Sequence, residues 1–302
     1  MKLRIIYMGT PDFAVPSLEI LIEQGYDVAA VVTVPDKPAG RGLKVQYSAV
    51  KETALKYNIP VLQPEKLKDE NFIEELKSFN ANLFIVVAFR MLPEVVWQMP
   101  SIGTFNLHGS LLPKYRGAAP INWAIINGET ETGCTTFFLK HQIDTGDILL
   151  QEKIAIQGDD TFETVYNSLK VIGAGLVLKT VKLIESEHYI LQQQVGESIH
   201  APKIFKETGL IDWNKKASEI NNLIRGLNPF PGAWFVHNDK TYKVFKAIAE
   251  PSSVKQEIGT IHTDNKTFLK MVCGDGYLSI IEIQAEGKKR MSVNDFLKGN
   301  KL

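Results

Sequence analysis

Leu3-Arg4-Ile5-Ile6-Tyr7-Met8-Gly9-Thr10-Pro11-Asp12-Phe13-Ala14 carries an apolar, β-like run into a glycine turn and out into an apolar-periodic segment. Leu3 to Met8 reads as a buried strand, and Ala14 to Gln24 as a helix that Gly25 ends. The same alternation continues outward. Val28 to Val34 is a β-branched strand, and Ser48 caps a helix through Tyr57 with Glu52 in its early turns. Val61-Leu62, a helix near Asn71 to Ser78, strand Leu83 to Val87 and strand Gly103 to Leu107 follow. This β-α-β-α series predicts an α/β fold, an open and mostly parallel sheet with helices on both faces. In such sheets ligands bind beyond the carboxyl ends of the strands.

The pattern changes in the second half. Asp160-Thr161-Phe162-Glu163 is a capping signal, and a long amphipathic helix follows to about Ser186. Residues 188–208 lose periodicity: Gln192-Gln193-Gln194, Gly196 and Pro202 read as a linker. Beyond it lie a short helix, Ser218 to Leu227, and the stop Asn228-Pro229-Phe230-Pro231-Gly232. Short strands near 233–237, 241–249, 257–262, 267–272 and 277–284, joined by polar turns, suggest a small barrel or sandwich. The expected organisation is a domain over 1–187, a linker over 188–208 and a β domain over 209–302.

With 302 residues, 44% of them hydrophobic, the chain can build two domains with cores of their own. Its longest apolar run, Leu83 to Phe89, is far short of a bilayer span. Gly9-Thr10-Pro11-Asp12 interrupts the first apolar stretch too early for a secretory signal. Cys134 and Cys273 have no metal-ligand spacing and read as small core residues, which favours a cytoplasmic setting. The net charge of zero hides an asymmetry. Residues 1–199 hold 18 Lys+Arg against 23 Asp+Glu, whereas residues 200–302 hold 16 against 11. A basic second half fits a polyanionic partner, and a merely solvated surface equally well.

Chemistry concentrates in Asn106-Leu107-His108-Gly109-Ser110-Leu111-Leu112-Pro113 and in Ile143-Asp144-Thr145-Gly146-Asp147. Two residues apart at a strand end, Asn106 and His108 share a face. Asp144 follows a second β-like run, Cys134 to Leu139, in a glycine-containing loop. An amide donor, an imidazole and an acid to orient it are the parts needed to move an acyl group onto an amine. Ser110 lies outside any G-x-S-x-G elbow, so it suits hydrogen bonding better than nucleophilic attack. A metal site would have only His141 with Asp144 to draw on. Gly9-Thr10-Pro11-Asp12-Phe13 occupies the place of a phosphate-binding turn, but it lacks G-x-G-x-x-G, and Pro11 removes a backbone donor. Pro35-Asp36-Lys37-Pro38-Ala39-Gly40-Arg41-Gly42-Leu43-Lys44 is long for a strand-to-helix connection. Its cations suit either a solvated loop or an arm for phosphates.

On these residues the chain resembles the 10-formyltetrahydrofolate-dependent formyltransferases, and within them the methionyl-tRNA formyltransferase family, over nearly its full length. Tyr115-Arg116-Gly117-Ala118-Ala119-Pro120-Ile121, Ile211-Asp212-Trp213 and Pro229-Phe230-Pro231-Gly232-Ala233-Trp234 add to the likeness. The resemblance implies a Rossmann-like domain followed by a small OB-like β-barrel domain. It also implies formyl transfer from 10-formyltetrahydrofolate to the α-amine of methionine on initiator tRNA, by a cytoplasmic monomer without a metal. Asn106, His108 and Asp144 fall on the family's catalytic positions. Ser110, Leu111, Leu112 and Pro113 fall on its folate-binding segment, with Phe89 and Leu92 beside the pterin. Lys37, Arg41 and Lys44 fall on the loop that grips tRNA. Ala88-Phe89-Arg90-Met91-Leu92-Pro93 departs from the family, which often has a Tyr-Gly segment there. Rival readings keep the folate chemistry with an amino sugar, glycinamide ribonucleotide or water as acceptor, or keep only RNA binding.

Overall fold

Strand β1 (Arg4–Gly9) is an interior strand of a seven-stranded sheet, with Ile5, Ile6, Tyr7 and Met8 fully buried. The other strands are β2 (Asp27–Val32), β3 (Val61–Leu62), β4 (Leu83–Val87), β5 (Gly103–His108), β6 (Glu131–Phe138) and β7 (Ile148–Ala155), in the order β7-β6-β5-β4-β1-β2-β3. Strands β1 to β5 pair in parallel, and β6 runs antiparallel to β5. Strand order reverses between β1 and β4, so the crevice for a ligand opens at their carboxyl ends. The computed structural model describes residues 1–39, 44–252 and 256–300.

Both sheet faces are covered, as a parallel sheet requires. On one face Ile6, Met8, Ala30, Val32, Phe84 and Val86 form a core with Phe72 and Leu76. Those two come from α3 (Glu70–Ser78), which follows α1 (Val15–Glu23) and α2 (Ala49–Lys56). The alternate residues Ile5, Tyr7, Val31 and Ile85 are buried on the other face. Ser48 caps α2 as the sequence signals, accepting from Lys51 N at 3.1 Å, and Asp69 caps α3, accepting from Phe72 N at 3.3 Å. Helices α4 (Glu94–Trp97), α5 (Pro120–Ile126) and α6 (Phe162–Glu185) complete the first two thirds of the chain. Among the described residues no helix is long and apolar enough to cross a membrane.

The chain divides into two compact units. One holds Met1–Gly117, Gly133–Ile154 and Tyr166–His200; the other holds Ala118–Thr132, Ala155–Val165 and Ala201–Leu302. Within the second, α5 meets α7 (Ala217–Gly226) closely: a Cβ on Gly226 would lie 2.6 Å from Ile126 Cγ1, and Asn122 Nδ2 donates to Gly226 O at 2.8 Å. Strands β8 (Ala233–His237), β9 (Lys240–Pro251), β10 (Ile261–Thr263), β11 (Leu269–Cys273) and β12 (Gly276–Ala285) form an antiparallel sheet in the order β8-β9-β12-β11-β10, with β13 (Met291–Ser292) added to β12. A bulge between Val244 and Lys246 bends β9, so the sheet curls in OB-like fashion around Phe235, Tyr242, Leu278 and Ile280. Helix α8 (Val293–Gly299), capped by Ser292, closes one end with Phe296 in the core.

Some elements differ from the sequence reading. The strand expected over 257–262 starts only at Ile261, because Gly259 adopts φ +83° and turns the backbone. Helices α4, α5 and α8 and strands β7 and β13 are additional. Residues 188–208 contain a bridge at Gln192, which exchanges backbone hydrogen bonds with Ile148 at 2.7 and 3.0 Å.

Candidate active site

Strand β5 ends in Asn106-Leu107-His108, and its period of two places Asn106 and His108 on one face. The His108 ring is buried edge-on to Phe137. Its Nε2 donates to the Tyr115 carbonyl at 2.8 Å. Nδ1 therefore faces Asp144, whose Oδ2 stands 3.9 Å away. That gap exceeds a hydrogen bond, and a shift of about 1 Å closes it. With side chains only 7% and 13% exposed, the pair interacts with little screening.

The Asp144 loop is held in a conformation few residues adopt. Asp144 has φ +54°, a left-handed backbone that Asp tolerates better than most side chains. Gly117 N donates to Asp144 Oδ2 at 2.8 Å. Gln194 Nε2 donates to the carbonyls of Asp144 and Gly146, each at 2.8 Å. Glycine at 146 has a steric cause, since a Cβ there would be driven into the Phe138 carbonyl. Gly146→Ala is expected to cost about 3 kcal/mol of stability, because backbone rather than a flexible side chain must move; thermal or denaturant unfolding measures it. A cost under about 0.5 kcal/mol would mean the loop yields freely.

The segment after β5 is pinned rather than mobile. Ser110 Oγ donates to Lys114 O at 2.6 Å, and the Leu112-Pro113 peptide is cis. Thr135 Oγ1 donates to Ser110 O at 2.6 Å, and accepts from Leu112 N at 3.1 Å and Gln151 Nε2 at 2.9 Å. Gln151 Nε2 also donates to Leu112 O at 2.9 Å. Ser110 and Leu112 are thus buried structural members of the loop, and Leu111 and Pro113 are half-buried. Sequence reasoning does not single out Thr135 and Gln151, because Thr135 is one of three buried threonines in β6, with Thr132 and Thr136.

Neighbouring loops frame the same strand ends. Ala88 takes φ +47° directly after β4, and Tyr115 takes φ +63°, so non-glycine residues in the left-handed region gather here, as strained backbone does at functional sites. Leu92 is buried and Phe89 partly buried against the α3 face of the sheet. Arg90 donates to the carbonyls of Pro64 and Glu65, tethering that loop. In the turn after β1, Asp12 accepts from Tyr166 Oη at 2.6 Å and Lys170 Nζ at 2.8 Å. Partial burial raises the Asp12 carboxyl, but these hydrogen bonds outweigh it and hold the group below its ordinary value. A carboxylate in that turn opposes a phosphate, in keeping with the tight-turn reading.

Residues on either side of the expected tRNA loop pair with each other. Lys37 is exposed and pairs with Gln46 in a short antiparallel ladder. Lys51 Nζ donates to Asp36 Oδ2 and, at 2.7 Å, to Gln63 Oε1, while Gln63 Nε2 donates to Asp36 Oδ1 at 2.8 Å. Arg41 and the side chain of Lys44 lie outside the described residues. His141 Nε2 pairs with Glu94 Oε1 at 2.9 Å and its ring stands edge-on to Trp97, away from any ligand set with Asp144. Among the described residues no group of three or more His, Cys, Asp or Glu gathers to hold a metal.

Comparison with known proteins bears on this geometry. The family model described as Formyl transferase matches residues 1–181, and that described as Formyl transferase, C-terminal domain, matches residues 203–301. The chain is 52% identical to a methionyl-tRNA formyltransferase of Bacteroides thetaiotaomicron, covering 99% of this chain and 96% of the relative. It is 50% identical to that of Flavobacterium johnsoniae, with coverage of 99% and 96%. In fold it is similar to WlaRD, a sugar 3N-formyl transferase solved with dTDP and 5-N-formyl-THF: TM-score 0.70, 20% identity, 96% of this chain and 100% of that one. HypX from Aquifex aeolicus in complex with tetrahydrofolic acid aligns with a TM-score of 0.64 at 18% identity, over 99% of this chain and 48% of its own.

Proposed function

The chain belongs to the methionyl-tRNA formyltransferase family, and on that premise we propose how its residues carry out the reaction, transfer of a formyl group to the α-amine of methionine on initiator tRNA. The donor is a formyl-tetrahydrofolate, in our reading the 10-formyl form. The single observation that carries the mechanism is the meeting of His108 Nδ1 and Asp144 Oδ2 across 3.9 Å, with Asn106 two residues before His108 on the same strand. The amine attacks the formyl carbon, a C–N bond forms, and the carbonyl oxygen becomes an oxyanion. Asn106 Nδ2 donates to that oxygen, and so does His108 Nδ1 in the imidazolium form, since the Nε2–H is already held by Tyr115 O; removal of one such donor typically costs ~3 kcal/mol of barrier. Tyr115 O, by holding Nε2, makes Nδ1 the working nitrogen.

Asp144 orients His108 and accepts the amine proton through a water, and that proton ends on the folate nitrogen as its bond to carbon breaks. The reaction then balances with no metal. Ser110, Leu111, Leu112 and Pro113, with Phe89 and Leu92, are proposed to wall the folate. Lys37, Arg41 and Lys44 are proposed to grip tRNA phosphate. We assign the chemistry to residues 1–187, the linker to 188–208 and further tRNA contact to the basic 209–302. A small amine would need neither the cationic loop nor the basic second half, which favours tRNA over an amino sugar as acceptor.

The test offers the formyl donor with charged initiator tRNA, charged elongator tRNA, free methionine and a nucleotide-linked amino sugar in parallel. Rapid transfer to the sugar and none to tRNA would overturn the reading. In the same assay Arg41→Ala is expected to raise the KM for tRNA about tenfold and leave donor binding unchanged, the mark of lost phosphate contact. Equal loss on both substrates would remove the loop's separate role.

A further inference from the structure

We infer that Gln194 is a positioning residue for Asp144, acting from the irregular segment that follows α6. Its amide is used at both ends. Oε1 accepts from Arg116 Nε at 3.1 Å and Nη2 at 2.6 Å, while Nε2 donates to Asp144 O and Gly146 O, both at 2.8 Å. The guanidinium fixes which end of the amide carries the acceptor, so the donors must face the two carbonyls. Those carbonyls flank the turn in which Asp144 sits at φ +54°, and Gly117, next to Arg116, donates its N–H to Asp144 Oδ2. The segment is itself anchored on either side of Gln194. Gln192 exchanges two backbone hydrogen bonds with Ile148, and Arg116 N donates to Ile199 O at 3.0 Å. Arg116, Gln194 and the 144–146 backbone therefore form one strap, and its length sets how far Asp144 Oδ2 stands from His108 Nδ1.

The inference rests on the proton-handling role proposed for Asp144. A misplacement of about 1 Å at such a group costs on the order of 10²-fold in rate. Gln194→Ala is accordingly expected to lower kcat ~10²-fold with the KM for donor and for tRNA changed less than about twofold. Gln194→Met keeps length and packing without the hydrogen bonds, and is expected to be as slow as the alanine variant. It carries the test should the alanine variant fold poorly. Gln194→Glu keeps the acceptor for Arg116 but loses both donors, and should be slow as well. Combining Arg116→Ala with Gln194→Ala is expected to cost little more than the worse single change, since both act through one strap.

Near-normal kcat in the methionine variant, or a loss confined to KM, would overturn the inference. Asp144→Asn is assayed beside them. An active Asp144→Asn sinks the catalytic reading itself; an inactive one with a fast Gln194→Met sinks only the strap.

Discussion

His108→Ala is expected to lower kcat by ~10³-fold or more while donor binding stays within about twofold of normal. The size follows from what the ring does twice over. As imidazolium it supplies, through Nδ1, one of two donors to the developing oxyanion, and the ring is the group against which Asp144 is set. Removing it leaves Asn106 alone at the oxygen and a carboxylate with no partner across the gap. Asn106→Ala, which leaves the His108–Asp144 pair in place, is expected to cost less, on the order of 10²-fold. Single-turnover transfer from a labelled formyl donor separates chemistry from release, and a melting curve excludes global unfolding. The ring is buried with its Nε2 on Tyr115 O, so about 1 kcal/mol of stability goes with it. A His108→Ala enzyme with a near-normal single-turnover rate would show that the ring is structural and that another group carries the charge.

How much of this was legible beforehand depended on where each signal resides. Strand β4 has the bounds read from the sequence, inside an apolar run, Leu83 to Phe89, that is too short for a helix and lies between Asn82 and Arg90. Ser48 announced α2 because a cap acts within four residues of itself. Helix α8 carried the same kind of signal, Ser292 with Asp295, and was passed over among the strands of the second unit. Helix α5 was hidden differently. It has only seven residues, begins at a proline, and owes its place to contact with Gly226 more than to a stripe of its own. Asn106 and His108 could be paired from the sequence because strand geometry places residues two apart on one side.

The partnership with Asp144 is another matter. It spans a loop, so the sequence offered the acid only as a candidate beyond a second β-like run, and the fold brought the two side chains to 3.9 Å. Gln194 had no signal at all. A side chain in an aperiodic stretch that bonds to backbone carbonyls leaves no spacing to read. The left-handed residues Ala88, Tyr115 and Asp144 are equally silent, since none is the glycine that would mark such a turn.

Asp144→Asn is the sharpest test of what the acid does, because it divides orientation from charge. Asparagine has the same shape, tolerates the left-handed backbone that Asp144 adopts at φ +54°, and retains an oxygen to accept from Gly117 N. The loop, its hydrogen bonds to Gln194 and the ring packing should all survive, so Tm is expected to move little. What disappears is the negative charge opposite His108 Nδ1 and the capacity to take the amine proton. In a hydrolase triad the equivalent exchange preserves geometry and costs about 10⁴-fold, so a loss of ~10³–10⁴-fold in kcat is expected here. The KM for both substrates should hold, since neither needs the charge to bind. A purely orienting role makes the opposite forecast: an amide in the same place would keep most of the rate. An Asp144→Asn enzyme that retains more than about a tenth of normal kcat would therefore move the proton to another acceptor, with the folate nitrogen or bulk water the first to examine.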